Sequence, residues 1–151
     1  MKKFFFSTGN HDRCSSVGLL FLRVGLGLFM LLGHGWGKAE RLFKGETEFG
    51  DPLGIGAELS FYLTTFAEVV CAAALVVGFM TRLSAVPLVI AMGVAGFIVH
   101  ANDPWLIQTA GLPAKELALL FFTGFLALMF TGPGRLSVDS LIITRKPRPS
   151  A

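Results

Sequence analysis

Residues 17–38 read VGLLFLRVGLGLFMLLGHGWGK. A run this long and this apolar is a helix that needs an apolar surround, and one permanent cation, Arg23, sits inside it. Extended to the nearest charges, residues 14–37 form 24 positions with Arg23 as the sole charge. Three more stretches follow: 59–81 with one charge, Glu68, then 83–102 and 117–134 with none. A membrane-spanning helix takes about 17–25 mostly apolar residues, so the sequence predicts four.

The composition agrees. Of 151 residues, 53% are hydrophobic and 15% charged, where a soluble domain carries about 25% charged residues. Mean hydropathy is +0.66, and 18 glycines suit membrane helices better than soluble ones. These figures exclude an ordinary soluble enzyme. The net charge of +3 reflects basic flanks, so no nucleic-acid partner is expected; the partner is the lipid bilayer.

The expected fold is an all-α integral membrane four-helix bundle, antiparallel, with helices at about 16–35, 59–80, 83–101 and 114–131. The start, MKKFFFSTGNHDRCSS, resembles a signal peptide for six residues, then turns polar without a small-residue cleavage pattern. Residues 1–15 are therefore expected to be a cytoplasmic arm, 16–134 the membrane domain and 135–151 a cytoplasmic tail. Lys2, Lys3, Arg13, Arg82, Arg135, Arg145, Lys146 and Arg148 fall on one side; Lys38, Arg41, Lys44 and Lys115 fall on the other. By the positive-inside rule both termini are cytoplasmic. The segment 38–57 then reads as an outer loop, GFMTRLS as a tight inner turn, and Pro113 as the first residue of the fourth helix. Trp36 and Trp105 suit an interfacial aromatic belt. Cys14 and Cys71 belong to no C-x-x-C motif, so neither a disulfide nor a dithiol site is expected.

Buried polar residues carry what chemistry the sequence offers. A charge at the depth of Arg23 costs about 2.5–3.5 kcal/mol on insertion scales and needs a partner. Glu68, ten residues past Glu58, is the expected one, because an arginine can bind a carboxylate through two hydrogen bonds. Such a pair either fixes helix register alone or forms part of a site. Helical spacing groups Arg23, Gly27, Met30 and His34; Phe61, Thr64, Thr65, Glu68, Cys71 and Ala72; Gly93, Gly96 and His100; and Glu116, Leu120, Thr123 and Ala127. All four stripes are expected to face inward. The outer half of the interior would then collect His34, His100 and Glu116, residue types that relay protons, bind a metal or hydrogen-bond a quinone carbonyl. No metal-ligand spacing is present, so no metal is expected.

These stretches also resemble a known family. LRVGLGLFMLLGHGWGK, AEVVCAAALVVGFMTRLSAVPL, FIVH and KELALLFFTGFLALMFTGPGRLSVDSLI together are similar to the DoxX family of small four-helix membrane proteins, over about residues 15–143. The resemblance implies a bacterial inner-membrane location. It also implies association with redox enzymes: members occur in a thiosulfate–quinone oxidoreductase, and one relative joins superoxide dismutase and a sulfurtransferase at the membrane. Three functions follow as expectations. The first is a quinone-interacting component, or membrane subunit of an oxidoreductase, with Arg23, Glu68, His34, His100 and Glu116 at its site. The second is a non-enzymatic scaffold recruiting soluble redox partners. The third is a small proton-coupled transporter, working as a homo-oligomer.

Overall fold

The computed structural model describes residues 12–106 and 115–144. The predicted N-terminal arm, the second outer connection with Pro113, and the end of the tail lie largely outside these. The described residues are helical and contain no strand. Helix α1 is Arg13–Lys44, α2 Ala57–Val77 and α3 Thr81–Val99, each long and apolar enough to cross a membrane. Helix α4 is Lys115–Thr131, and a short α5, Val138–Thr144, follows.

Helix α1 runs nine residues past its expected end at Gly35. The reason is local: from Lys38 to Leu42 the chain reads KAERL, all good helix formers, and the Trp36 indole donates to Glu40 one turn on (2.7 Å). The helix stops at Gly45, whose φ of 73° makes a left-handed cap. There the Gly45 and Glu46 amides return to Leu42 O and Arg41 O, which is the Schellman pattern. Helix α2 ends the same way at Gly78, and the tight turn to α3 makes the two antiparallel.

Small residues bring the helices together. A Cβ on Gly27 would lie 2.6 Å from Val76 Cγ2, and one on Gly35 would lie 2.5 Å from Glu68 O. These contacts fix the antiparallel register of α1 on α2. Met30, Ala72, Leu75, Leu88, Phe121 and Phe125 fill the centre. Phe21, Phe29, Leu32, Ile90 and Phe130 point outward, the apolar surface that a bilayer covers.

Each of the first three helices contains a wider π-helical turn: Leu31–Gly35 in α1, Phe66–Cys71 in α2 and Ala95–Val99 in α3. The wider turn shifts the buried face by one residue. On α1 the buried series is Arg23, Gly27, Met30 and then Gly35, a step of five where regular spacing gives His34.

The expected inward stripe on α4 is corrected. Leu120, Thr123 and Ala127 are exposed, Glu116 is half-buried, and Ala118, Phe121, Phe125 and Leu128 face the core. Packing won: phenylalanine and leucine fill more of the space between the helices, and so make more van der Waals contact there, than alanine or threonine do. The Thr123 hydroxyl donates back to Leu119 O and Leu120 O (both 3.0 Å), so it needs no partner on another helix.

Candidate functional site

The expected Arg23–Glu68 pair does not form. In the antiparallel register Arg23 lies beside Gly78, and Glu68 lies beside Gly35, twelve residues further along α1. At 1.5 Å per residue that is about 18 Å. Judging depth from Glu58 alone hid this offset.

Arg23 is 1% exposed and donates to Leu75 O (3.3 Å) and Leu136 O (2.7 Å). Around it the ends of the helices interlock. The Asp139 carboxylate accepts from the Met80 amide (2.7 Å) and the Thr81 amide (3.0 Å), satisfying free donors at the start of α3. The Asp139 amide returns to Gly78 O (2.9 Å), and Arg82 donates to Thr131 O (3.2 Å). Gly78 is required twice. Its φ is 75°, and a Cβ there would lie 1.8 Å from Arg23 Nη1. This end of the bundle is full.

The other end is hollow. A cavity of about 420 Å³ is lined by His34, Lys38, Thr64, Glu68, His100 and several apolar side chains. Glu68, 3% exposed, pairs with Lys38 Nζ at 2.5 Å. Lys38 comes from the helical extension of α1 that the sequence reading placed in a loop, and its ammonium also lies 5.9 Å from the Phe49 ring centre. One helical signal marks it: Lys38 follows His34 by four residues. His34 meets Phe121 edge-on at 5.7 Å. His100 Nδ1 lies 2.6 Å from Asp103 Oδ2; an ionised carboxylate only accepts, so that nitrogen carries the proton and Nε2 is left for a further bond.

All three π-helical turns meet here. His34 and Glu68 sit within two of them, and His100 directly follows the third. Such turns recur at functional sites. Glu116 is not among the lining residues; the neighbouring Leu117 and Ala118 are. Thus His34, Glu68 and His100 come together, Lys38 joins them, and Arg23 stands apart.

The connection between α1 and α2 roofs the cavity with Phe49 and Pro52. Asp51 anchors it to the start of α2, accepting from the amides of Gly56 (2.8 Å) and Ile55 (2.9 Å) and from the Ser60 hydroxyl (3.2 Å). The Gly56 amide first, then Ile55 and Ser60, hold its carboxyl below the usual carboxylate range. Among the described residues no group of three His, Cys, Asp or Glu side chains is placed to hold a metal ion. Cys71 is buried, Cys14 is exposed, and both are free thiols.

Comparison with known proteins places this geometry in context. The DoxX family model matches residues 18–101, the segment that contributes Arg23, His34, Lys38, Glu68 and His100. An uncharacterized membrane protein of Mycobacterium tuberculosis is 32% identical over 140 residues, covering 85% of this chain and 78% of the relative. An uncharacterized protein of Haemophilus influenzae is 31% identical over 88 residues, 58% of this chain. That match spans 56% of the relative's own length. No solved structure matches.

Proposed function

This chain belongs to the DoxX family of membrane proteins, and from that premise we propose that it is a quinone-interacting component of a bacterial inner membrane. Helix α4 serves as the fourth span, and the end carrying Arg23 and α5 faces the cytoplasm. The cavity then lies toward the outer side.

One observation carries this reading: three π-helical turns, from three helices, present His34, Glu68 and His100 to one cavity with Lys38. A quinone ring asks for donors to its two carbonyl oxygens and apolar walls for its faces. Lys38 and the histidines supply donors, and Met92 and Phe121 supply walls. A volume of about 420 Å³ lies in the usual range of roughly 300–1,000 Å³ for small-molecule sites. A bound quinone would supply two-electron redox capacity, with electrons exchanged with a partner redox protein. Glu68 holds the Lys38 ammonium in place, and the Asp103 carboxylate fixes the His100 tautomer. The tight Lys38–Glu68 contact disfavours Glu68 as the site of a proton carrier.

The test is mass spectrometry of molecules that co-purify in mild detergent, comparing wild type with His100→Ala. The expected result is a quinone near one-to-one stoichiometry, depleted in the variant. Bulk phospholipid alone in both samples rejects the quinone reading, and a scaffold that recruits soluble redox enzymes would replace it.

A further inference from the structure

Beside the polar cavity lies a second hollow of about 340 Å³, between α2, α3 and the 45–56 connection. Its walls include Leu63, Phe66, Pro87 and Ile90, and no charged side chain lines it. The two lining hydroxyls are already committed. Ser60 donates to Asp51 (3.2 Å) and Thr64 to Ser60 O (2.8 Å). This groove offers an occupant hydrocarbon contact and no free donor.

The two hollows adjoin. Phe49, Pro52, Thr64, Ala91 and Val94 line both. The groove also opens sideways: Leu63, Phe66 and Ile90 are 52%, 50% and 59% exposed, on faces that a bilayer covers. A ligand spanning both hollows must be polar at one end and apolar at the other, and it can enter from the membrane without crossing water.

We propose that the groove between α2 and α3 is a tail-binding site, which takes the single hydrocarbon chain of an amphiphile whose head group occupies the His34–Lys38–Glu68–His100 cavity. This assignment rests on the head-group reading above and adds the chain site and the lateral route. Phe49 and Pro52 then roof the junction of head and tail, and Ala91 and Val94 form its floor.

The experiment is photo-crosslinking of the full-length protein in lipid nanodiscs, with labelled residues mapped by mass spectrometry. Three probes are needed: a benzoquinone with a diazirine near the end of a ten-carbon chain, a fatty acid with the same chain and diazirine, and a chainless azido-quinone. The chain-bearing quinone is expected to label residues 60–66 and 87–94 at least fivefold above the outward α1 positions Phe21 and Phe29. Filling the groove with Ile90→Trp, at a position that lines the groove and not the polar cavity, should cut that labelling at least fivefold while chainless-quinone labelling near His100 persists. Labelling spread evenly over outward faces overturns the tail site, even if the chainless quinone still marks the polar cavity. Equal groove labelling by the fatty acid and the quinone, with no cavity labelling by the chainless ring, supports the tail site and overturns the quinone head group. Should Ile90→Trp fail to fold, the wild-type labelling map decides alone.

Discussion

Two cations, Arg23 buried and Lys38 half-buried, lie toward opposite ends of α1, and the protein treats them differently. Arg23 is sealed against the Leu75 and Leu136 carbonyls, with Gly78 pressed onto its guanidinium. Lys38, about 22 Å along the helix at 1.5 Å per residue, holds a single carboxylate, Glu68, and faces a cavity. A charge surrounded by backbone fixes helix ends. A charge beside empty volume is available to a ligand. The contrast predicts that damage at the Arg23 end removes the fold, whereas damage at the Lys38 end removes binding.

The largest effect is expected from Gly78→Ala. The new methyl would occupy the position of Arg23 Nη1, 1.8 Å away, on a backbone whose φ of 75° already disfavours any side chain. Strain and overpacking add, so a loss above about 4 kcal/mol, at the extreme of single substitutions, should prevent accumulation of monodisperse protein on size exclusion. A well-behaved Gly78→Ala protein would break the claim that this end is full.

Arg23→Met comes next. It removes the donor to Leu136 O and one of the two donors to Leu75 O, which keeps the Gly78 amide (3.1 Å). Hydrogen bonds to a charged group are worth about 1.5–3 kcal/mol each, and Asp139 loses the field of a nearby cation. Thermal unfolding in detergent should fall by many degrees. Whatever fraction remains folded should bind its head-group ligand with unchanged affinity, since no atom of Arg23 lines the cavity. A selective loss of binding with full stability would reverse the assignment of the two ends.

The sequence made one end legible and obscured the other, for a physical reason. Apolar runs and charge-free lengths located the helices, because a spanning segment must satisfy its backbone within itself. His34, Glu68 and His100 were identifiable as polar residues inside apolar stretches. Their pairing was not. Pairing depends on the sliding register of α1 against α2, which Gly27 and Gly35 set by close contact, and no count from a helix end reports that. The π-helical turns then moved the buried face from His34 to Gly35, a step invisible to regular spacing. Lys38 looked like a loop flank because charge at a membrane edge and charge over a cavity have the same sequence signature. Glu116 failed for a simpler reason: on α4 the bulky Phe121 and Phe125 determined the inward face.

The Lys38–Glu68 pair sharpens the comparison through a cycle. Lys38→Met alone leaves the buried Glu68 carboxyl without its partner. Because Lys38 is only half-buried, the cost should reach about 3 kcal/mol, the low end for removing one partner of a buried pair. The double variant Lys38→Met with Glu68→Met replaces the pair by apolar side chains of similar volume and should recover most of that stability. Ligand binding should be lost in both. Stability that recovers without binding marks the pair as kept for its ligand. Recovery of both would make it a register device like Arg23.

The smallest expected effect is a pH response at the roof of the cavity, outside the membrane helices. Asp51 accepts bonds from Gly56, Ile55 and Ser60, which lower its pKa below the ordinary carboxylate value. A group whose folded pKa is depressed contributes stability above its unfolded pKa and loses it as pH falls through the folded value. The 45–56 connection should therefore stay ordered from neutral pH down through the ordinary carboxylate range, and loosen only below it. Hydrogen exchange corrected for intrinsic rates should show amides 55 and 56 losing protection there, while those of α2 around Glu68 keep theirs. Asp51→Asn should abolish this step and raise exchange at those amides at all pH values, with a modest gain in ligand off-rate because Phe49 and Pro52 close the same cavity. If the amides near Glu68 lose protection together with the roof, the connection and the ion pair open as one unit, and the hollow end of the bundle is less independent of its cover than its geometry implies.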